Sequence, residues 1–140
     1  MKNNSMKGQT AFVCGASKGI GAATAIELSK QGVTTILLAR NKEGLDKIIK
    51  RLDVSAGQKH NSIIADFNNP EILEKEVNSF LNGFDKNIDI LINNTGGPKP
   101  GPIINATSSE FIDTFKQHLI CNHILVNCLI SRMKQANYGR

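Results

Sequence analysis

Thr10-Ala11-Phe12-Val13-Cys14-Gly15-Ala16-Ser17-Lys18-Gly19-Ile20-Gly21 is the stretch that decides the fold. Its first five residues form an apolar run headed by a β-branched residue, which favours a strand. Glycines follow at 15, 19 and 21, and residues 22–30 are rich in helix formers. A strand that turns into a helix over closely spaced glycines is a phosphate cradle. Glycine tolerates positive φ and lets the backbone approach a ligand. The helix start then offers unpaired N–H groups and the positive end of its dipole to an anion.

Working outward, residues 20–31 are predicted to form the first helix, closed by Gly32. Residues 33–39 read as an apolar second strand. Residues 42–52 read as a second helix with Leu45, Ile48, Ile49 and Leu52 at helical spacing. A short third strand is predicted over 62–65. Pro70 is well placed to open a third helix, which places Ile72, Leu73, Val77, Phe80 and Leu81 on one face and ends at Asn82-Gly83. Residues 88–92 give a fourth strand, and 93–106 a loop rich in Gly, Pro and Asn. Thr107-Ser108-Ser109-Glu110 fits a capping box. It opens one last helix running to about residue 135. The apolar positions of that helix (Phe111, Phe115, Leu119, Leu125, Val126, Leu129, Ile130 and Met133) cover more than one stripe, so packing on two sides is expected.

Strands apolar on both faces, separated by helices, imply an α/β fold with a doubly wound, Rossmann-like parallel sheet. Right-handed crossovers predict the strand order 3-2-1-4. A ligand belongs at the carboxyl ends of strands one and four, where the winding reverses. The glycine loop and the 93–97 loop leave those two ends, so two separate features converge on one crevice.

Composition sets bounds on this reading. A chain of 140 residues is one domain or less, and 40% hydrophobic with 21% charged residues is ordinary for a soluble globular chain. No apolar stretch reaches the ~18 residues of a membrane span. The start, Met1-Lys2-Asn3-Asn4-Ser5-Met6, lacks the apolar core of a signal peptide and reads as a polar lead-in. A cytoplasmic protein without a membrane partner is expected. The net charge is +5, but the lysines are scattered and there is one Tyr and no Trp, which argues against nucleic acid. Cys14, Cys121 and Cys128 form no CxxC, and an odd count points to free thiols in a reducing compartment. His118, Cys121, His123 and Cys128 do not share a helix face, so no metal site is expected.

Cys14-Gly15-Ala16-Ser17-Lys18-Gly19-Ile20-Gly21 resembles the T-G-x-x-x-G-I-G loop of the short-chain dehydrogenase/reductase family. Asn93-Asn94-Thr95-Gly96 resembles the family's N-N-A-G motif, and Asp66 matches its acidic residue near the adenine. Residues 94–98 with Pro100-Gly101 resemble a subgroup near the 3-oxoacyl-carrier-protein reductases. The resemblance implies that Gly15, Ser17, Lys18, Gly19, Ile20 and Gly21 surround the adenosine and pyrophosphate of a dinucleotide. It implies that Asp66 and Phe67 border the adenine, and that Asn94 and Gly96 contact the nicotinamide-side ribose. Asp66 also reads as a cap for the helix at Pro70, and Asn93 and Asn94 as ties from strand four to its neighbours. Cys14 replaces the family's threonine. His118 falls where many members carry an organising helix Asn, and reads as a satisfied core histidine.

Charge decides between cofactors. NAD(H) specificity uses a carboxylate at the end of strand two to hold the ribose 2′-OH. That position is Ala39, followed by Arg40. With Lys18 in the loop, two cations and no carboxylate favour a 2′-phosphate, hence NADP(H), with NAD(H) less favoured.

The family's chemistry rests on a Ser after strand five and a Tyr-x-x-x-Lys on the next helix. Tyr138 is the one tyrosine of these 140 residues, and no lysine follows it. The resemblance therefore implies an NADP(H)-dependent oxidoreductase acting on a carbonyl or alcohol, seen here as a single incomplete domain over 1–140. That portion lacks the catalytic residues and is inactive alone. A non-catalytic nucleotide-binding remnant and an unstable truncated-gene product are the alternatives. A substrate is expected only with the missing half supplied. Strand four should form an apolar sheet edge, and the last helix resembles one used for homo-oligomer formation.

Overall fold

The computed structural model describes residues 6–140, so the first five residues of the polar lead-in lie outside the described residues. The strands are β1 (Thr10–Cys14), β2 (Thr34–Ala39), β3 (Asn61–Ile64) and β4 (Ile90–Ile92). They form one parallel sheet in the order β3-β2-β1-β4, as the sequence predicts. Phe12 at the centre of β1 lies opposite Ile36 of β2 and Leu91 of β4.

Alternation along the strands divides the core into two layers. On one face Phe12, Cys14, Ile36 and Leu38 pack with α3 (Pro70–Asn82) and α5 (Cys121–Gln135) through Leu73, Val77, Leu125 and Leu129. On the other face Ala11, Val13 and Leu37 pack with α1 (Gly19–Lys30) and α2 (Lys42–Ile49) through Ala22, Ala25, Leu45 and Ile48. Helices therefore cover both faces, as a doubly wound sheet requires.

Local chemistry explains the boundaries. Gly32, at φ 82°, closes α1: its N–H donates to Ser29 O and the N–H of Val33 to Leu28 O. That is the paired bonding of a Schellman motif. The second helix ends at Ile49, three residues short of the predicted end. From there Arg51 N–H reaches Ile48 O and Leu52 N–H reaches Ile49 O in tightened turns that still bury Leu52. In α3 the buried stripe is Leu73, Val77 and Leu81, four residues apart; Ile72 is 53% exposed, contrary to the predicted face.

The last helix departs most from expectation. The Thr107–Glu110 capping box is present, with Glu110 N–H donating to Thr107 Oγ1 and Thr107 N–H to Glu110 Oε2, and it opens α4 (Ser108–Phe115). A π turn over Lys116–Ile120 then separates α4 from α5. Packing is one-sided: Cys121, Leu125 and Leu129 are buried, whereas Phe111, Phe115 and Leu119 lie exposed. β4 borders the sheet beyond β1. Beside it, the Arg140 N–H donates to Asp89 O and Arg140 O accepts from Leu91 N–H.

Candidate functional site at the strand crossover

The crevice is built at the carboxyl ends of β1 and β4. Gly15, the first residue after β1, sits at φ 59°, in the left-handed region. A Cβ there would lie 2.5 Å from Asn94 Nδ2 and 2.9 Å from Asn94 O. The two predicted loops are therefore in direct contact. Asn94 Nδ2 donates to Cys14 O at 3.2 Å, so Asn94 ties β4 to β1. Gly21 serves a different need, because a Cβ on it would overlap the carbonyl of Gly15. Its absence lets α1 seat directly on the loop.

The start of α1 has no protein cap. Lys18 is the N-cap residue, in extended conformation, and no side chain caps the helix. The first-turn N–H groups of a helix have no intrahelical partner. Together with the dipole they leave this end positive and able to attract an anion. The ion pairs among the described residues are Lys30–Glu27, Lys42–Asp46 and Lys116–Asp113, so neither Lys18 nor Arg40 is engaged. Ile20 is 76% exposed at the same helix start. An apolar side chain left open beside polar donors is a common lining for a ligand pocket.

The cavity measures about 620 Å³. Gly15, Ser17, Lys18, Gly19 and Ile20 line one wall, and Arg40, Asp66 and Phe67 line the end of β2 and β3. Asn94 and Gly96 line the β4 side. Of the predicted residues, only Gly21 stands behind the wall rather than in it. Ala39 is also part of the lining, and no carboxylate occupies its position.

Asp66 is not a helix cap. Its Oδ1 accepts the Asn68 N–H at 3.0 Å and Asn68 Nδ2 at 2.9 Å, while α3 is capped at Asn69 without a side-chain bond. Asp66 thus shapes its own loop. Beneath it, the buried Cys121 thiol donates to Phe67 O at 3.2 Å. Burial pushes the Cys121 and Cys14 thiols up from their usual range; for Cys14 the main-chain N–H of Asn94 offsets part of this.

His118 overturns the expectation of a core histidine. It is half-buried, and its Nε2 donates to Gly96 O at 3.0 Å on the crevice wall. A carbonyl only accepts, so Nε2 carries the proton. Its neighbour Gln117 donates through Nε2 to Asn68 Oδ1 at 2.7 Å. His123 instead bonds Asn127. His118, Cys121 and His123 thus serve separate partners.

Sequence reasoning also missed Gly44. A Cβ on this first-turn residue of α2 would lie 2.9 Å from Ser17 Cβ, so α2 presses on the glycine loop. The available signal was a glycine inside an amphipathic helix, which costs about 1 kcal/mol relative to Ala.

Comparison with known proteins agrees with this geometry. The family model described as short chain dehydrogenase matches residues 9–140. The chain belongs to the short-chain dehydrogenase family. This short-chain dehydrogenase is 40% identical over 89 residues to 17-beta-hydroxysteroid dehydrogenase type 3 of Danio rerio, covering 64% of this chain and 28% of that protein. It is 33% identical to the 3-oxoacyl-[acyl-carrier-protein] reductase FabG of Buchnera aphidicola, covering 94% of this chain and 52% of that one. Among solved structures, a metagenomic short-chain oxidoreductase in complex with NADP superposes with a TM-score of 0.83 at 30% identity. The alignment covers 96% of this chain and 60% of that one. The chain spans about half the length or less of the curated relatives it matches here. Among the described residues no helix is long and apolar enough to cross a membrane.

Proposed function

We propose that these 140 residues are the NADP(H)-binding, amino-terminal part of a short-chain oxidoreductase acting on a small carbonyl or alcohol. The observation that carries this reading is the pair of unengaged cations, Lys18 and Arg40, lining a crevice whose helix start has no protein cap. The glycine loop fits a pyrophosphate, since nothing stands within 4 Å of where a Cβ on Gly19 would be, at the uncapped start of α1 on the crevice wall. Ser17 and Gly19 complete that cradle. Asp66 and Phe67 border the adenine, and Asn94 and Gly96 border the nicotinamide-side ribose. A metagenomic relative solved with NADP and an L-sorbose reductase from Gluconobacter frateurii solved with NADPH support the cofactor class.

When bound, the dinucleotide supplies or accepts the hydride. The residues of this chain bind and orient it. The 140 residues hold no Tyr-x-x-x-Lys, so the chain alone is expected to bind cofactor without turning over a carbonyl. Substrate enters the account only with those catalytic groups supplied. Three free thiols accord with a cytoplasmic, reducing location. The exposed stripe of the α4 region is a surface for homo-oligomer formation.

Titration of the 140-residue chain with NADPH and with NADH tests the reading. Charge-assisted bonds from Lys18 and Arg40 to a 2′-phosphate predict NADPH binding tighter by about tenfold or more. NADH binding as tight or tighter would overturn it.

A further inference from the structure

The π turn at Lys116–Ile120 delivers two consecutive side chains to opposite walls of the crevice. His118 Nε2 holds the Gly96 carbonyl of the β4 loop at 3.0 Å. Gln117 Nε2 holds Asn68 Oδ1 of the β3 loop at 2.7 Å. The second contact continues inward, because Asn68 Nδ2 and N–H both donate to Asp66 Oδ1. Both bonds on Asp66 land on the same oxygen, Oδ1. A π turn carries one more residue than an α turn, and such insertions recur at functional sites. The helix regains its α register at Cys121, whose thiol bonds Phe67 O from below. Three residues of one helical segment therefore grip both loops.

We propose that this segment is a two-armed clamp that positions the two halves of the dinucleotide separately. His118 sets the Gly96 side, where the nicotinamide ribose is held. Gln117, through Asn68 and Asp66, sets the adenine side. Neither residue touches the reacting atoms in this assignment; both act through the loops they hold. The inference rests on the dinucleotide reading of the crevice, and deepens it by naming what keeps the walls at their spacing.

The test uses the 140-residue chain and two probes. NADPH spans both halves of the site, and adenosine 2′,5′-bisphosphate carries the adenosine end alone. Loss of one hydrogen bond corresponds to roughly a 3- to 10-fold change in affinity. His118→Ala is expected to weaken NADPH by that factor and to leave the bisphosphate within about twofold. Gln117→Leu is expected to weaken both probes alike. His118→Gln places an amide nitrogen the same number of bonds from the backbone as Nε2, and is expected to restore NADPH affinity. Equal losses of both probes in His118→Ala, or no loss of either, would overturn the clamp while leaving the dinucleotide site standing. Failure of the Gln variant to restore binding in a folded chain would also overturn it. A wild-type chain that binds neither probe would overturn the dinucleotide reading and the clamp with it. Should His118→Ala not fold, as judged by circular dichroism, Gln117→Leu and His118→Gln carry the same decision.

Discussion

Gly15 carries two constraints at once: a left-handed backbone at φ 59° and the side-chain amide of Asn94 where a Cβ would stand. The left-handed backbone alone costs an L-residue about 1–2 kcal/mol. Displacing Asn94 also strains its bond to Cys14 O. Gly15→Ala is therefore expected to lower stability by about 2 kcal/mol or more and to abolish measurable NADPH binding, read by urea denaturation and by titration. Unchanged stability would show that the loop takes another path. At this scale the sequence reveals residue types but not their partners. The spacing of glycines 15, 19 and 21 announces a cradle, and the run Ala39-Arg40 announces its charge preference. What Gly44 packs against, and what His118 bonds, depends on atoms distant in sequence. A histidine amid Leu119, Ile120 and Cys121 reads as core because hydrophobicity is averaged along a helix; one bond to Gly96 O places it on the crevice wall.

Elements were legible where a periodic pattern was strong. β1 and β2 are buried along their whole length, and their apolar runs read directly. α3 read as a helix from Pro70, but its stripe was drawn one residue too wide at Ile72. The π turn was not legible, because residues 107–135 carry the apolar pattern of one continuous helix. Phe111, Phe115 and Leu119, four residues apart, form an exposed stripe along α4 and the turn. A contiguous apolar stripe of this kind marks an interaction surface. Homo-oligomer formation through it predicts concentration-dependent self-association in sedimentation, lost in the double variant Phe115→Ser with Leu119→Ser. A wild-type chain that stays monomeric at high concentration would contradict this.

The whole molecule follows from one topological fact. Winding outward from β1 in both directions puts α1 and α2 on one face and α3 and α5 on the other, and opens a crevice between the ends of β1 and β4. The strand order was legible because apolar strands alternating with helices admit few right-handed arrangements. Within that frame the glycine loop, the β3 loop with Asp66 and the Asn94 loop converge although about 80 residues separate the first from the last. The most direct measurement is the amide spectrum of the isotope-labelled 140-residue chain titrated with NADPH. The account predicts saturable shifts confined to residues 15–21, 40, 66–68 and 94–97, with His118 following as its Gly96 contact tightens. Shifts centred instead away from this crevice, or no saturable shift anywhere, would contradict it.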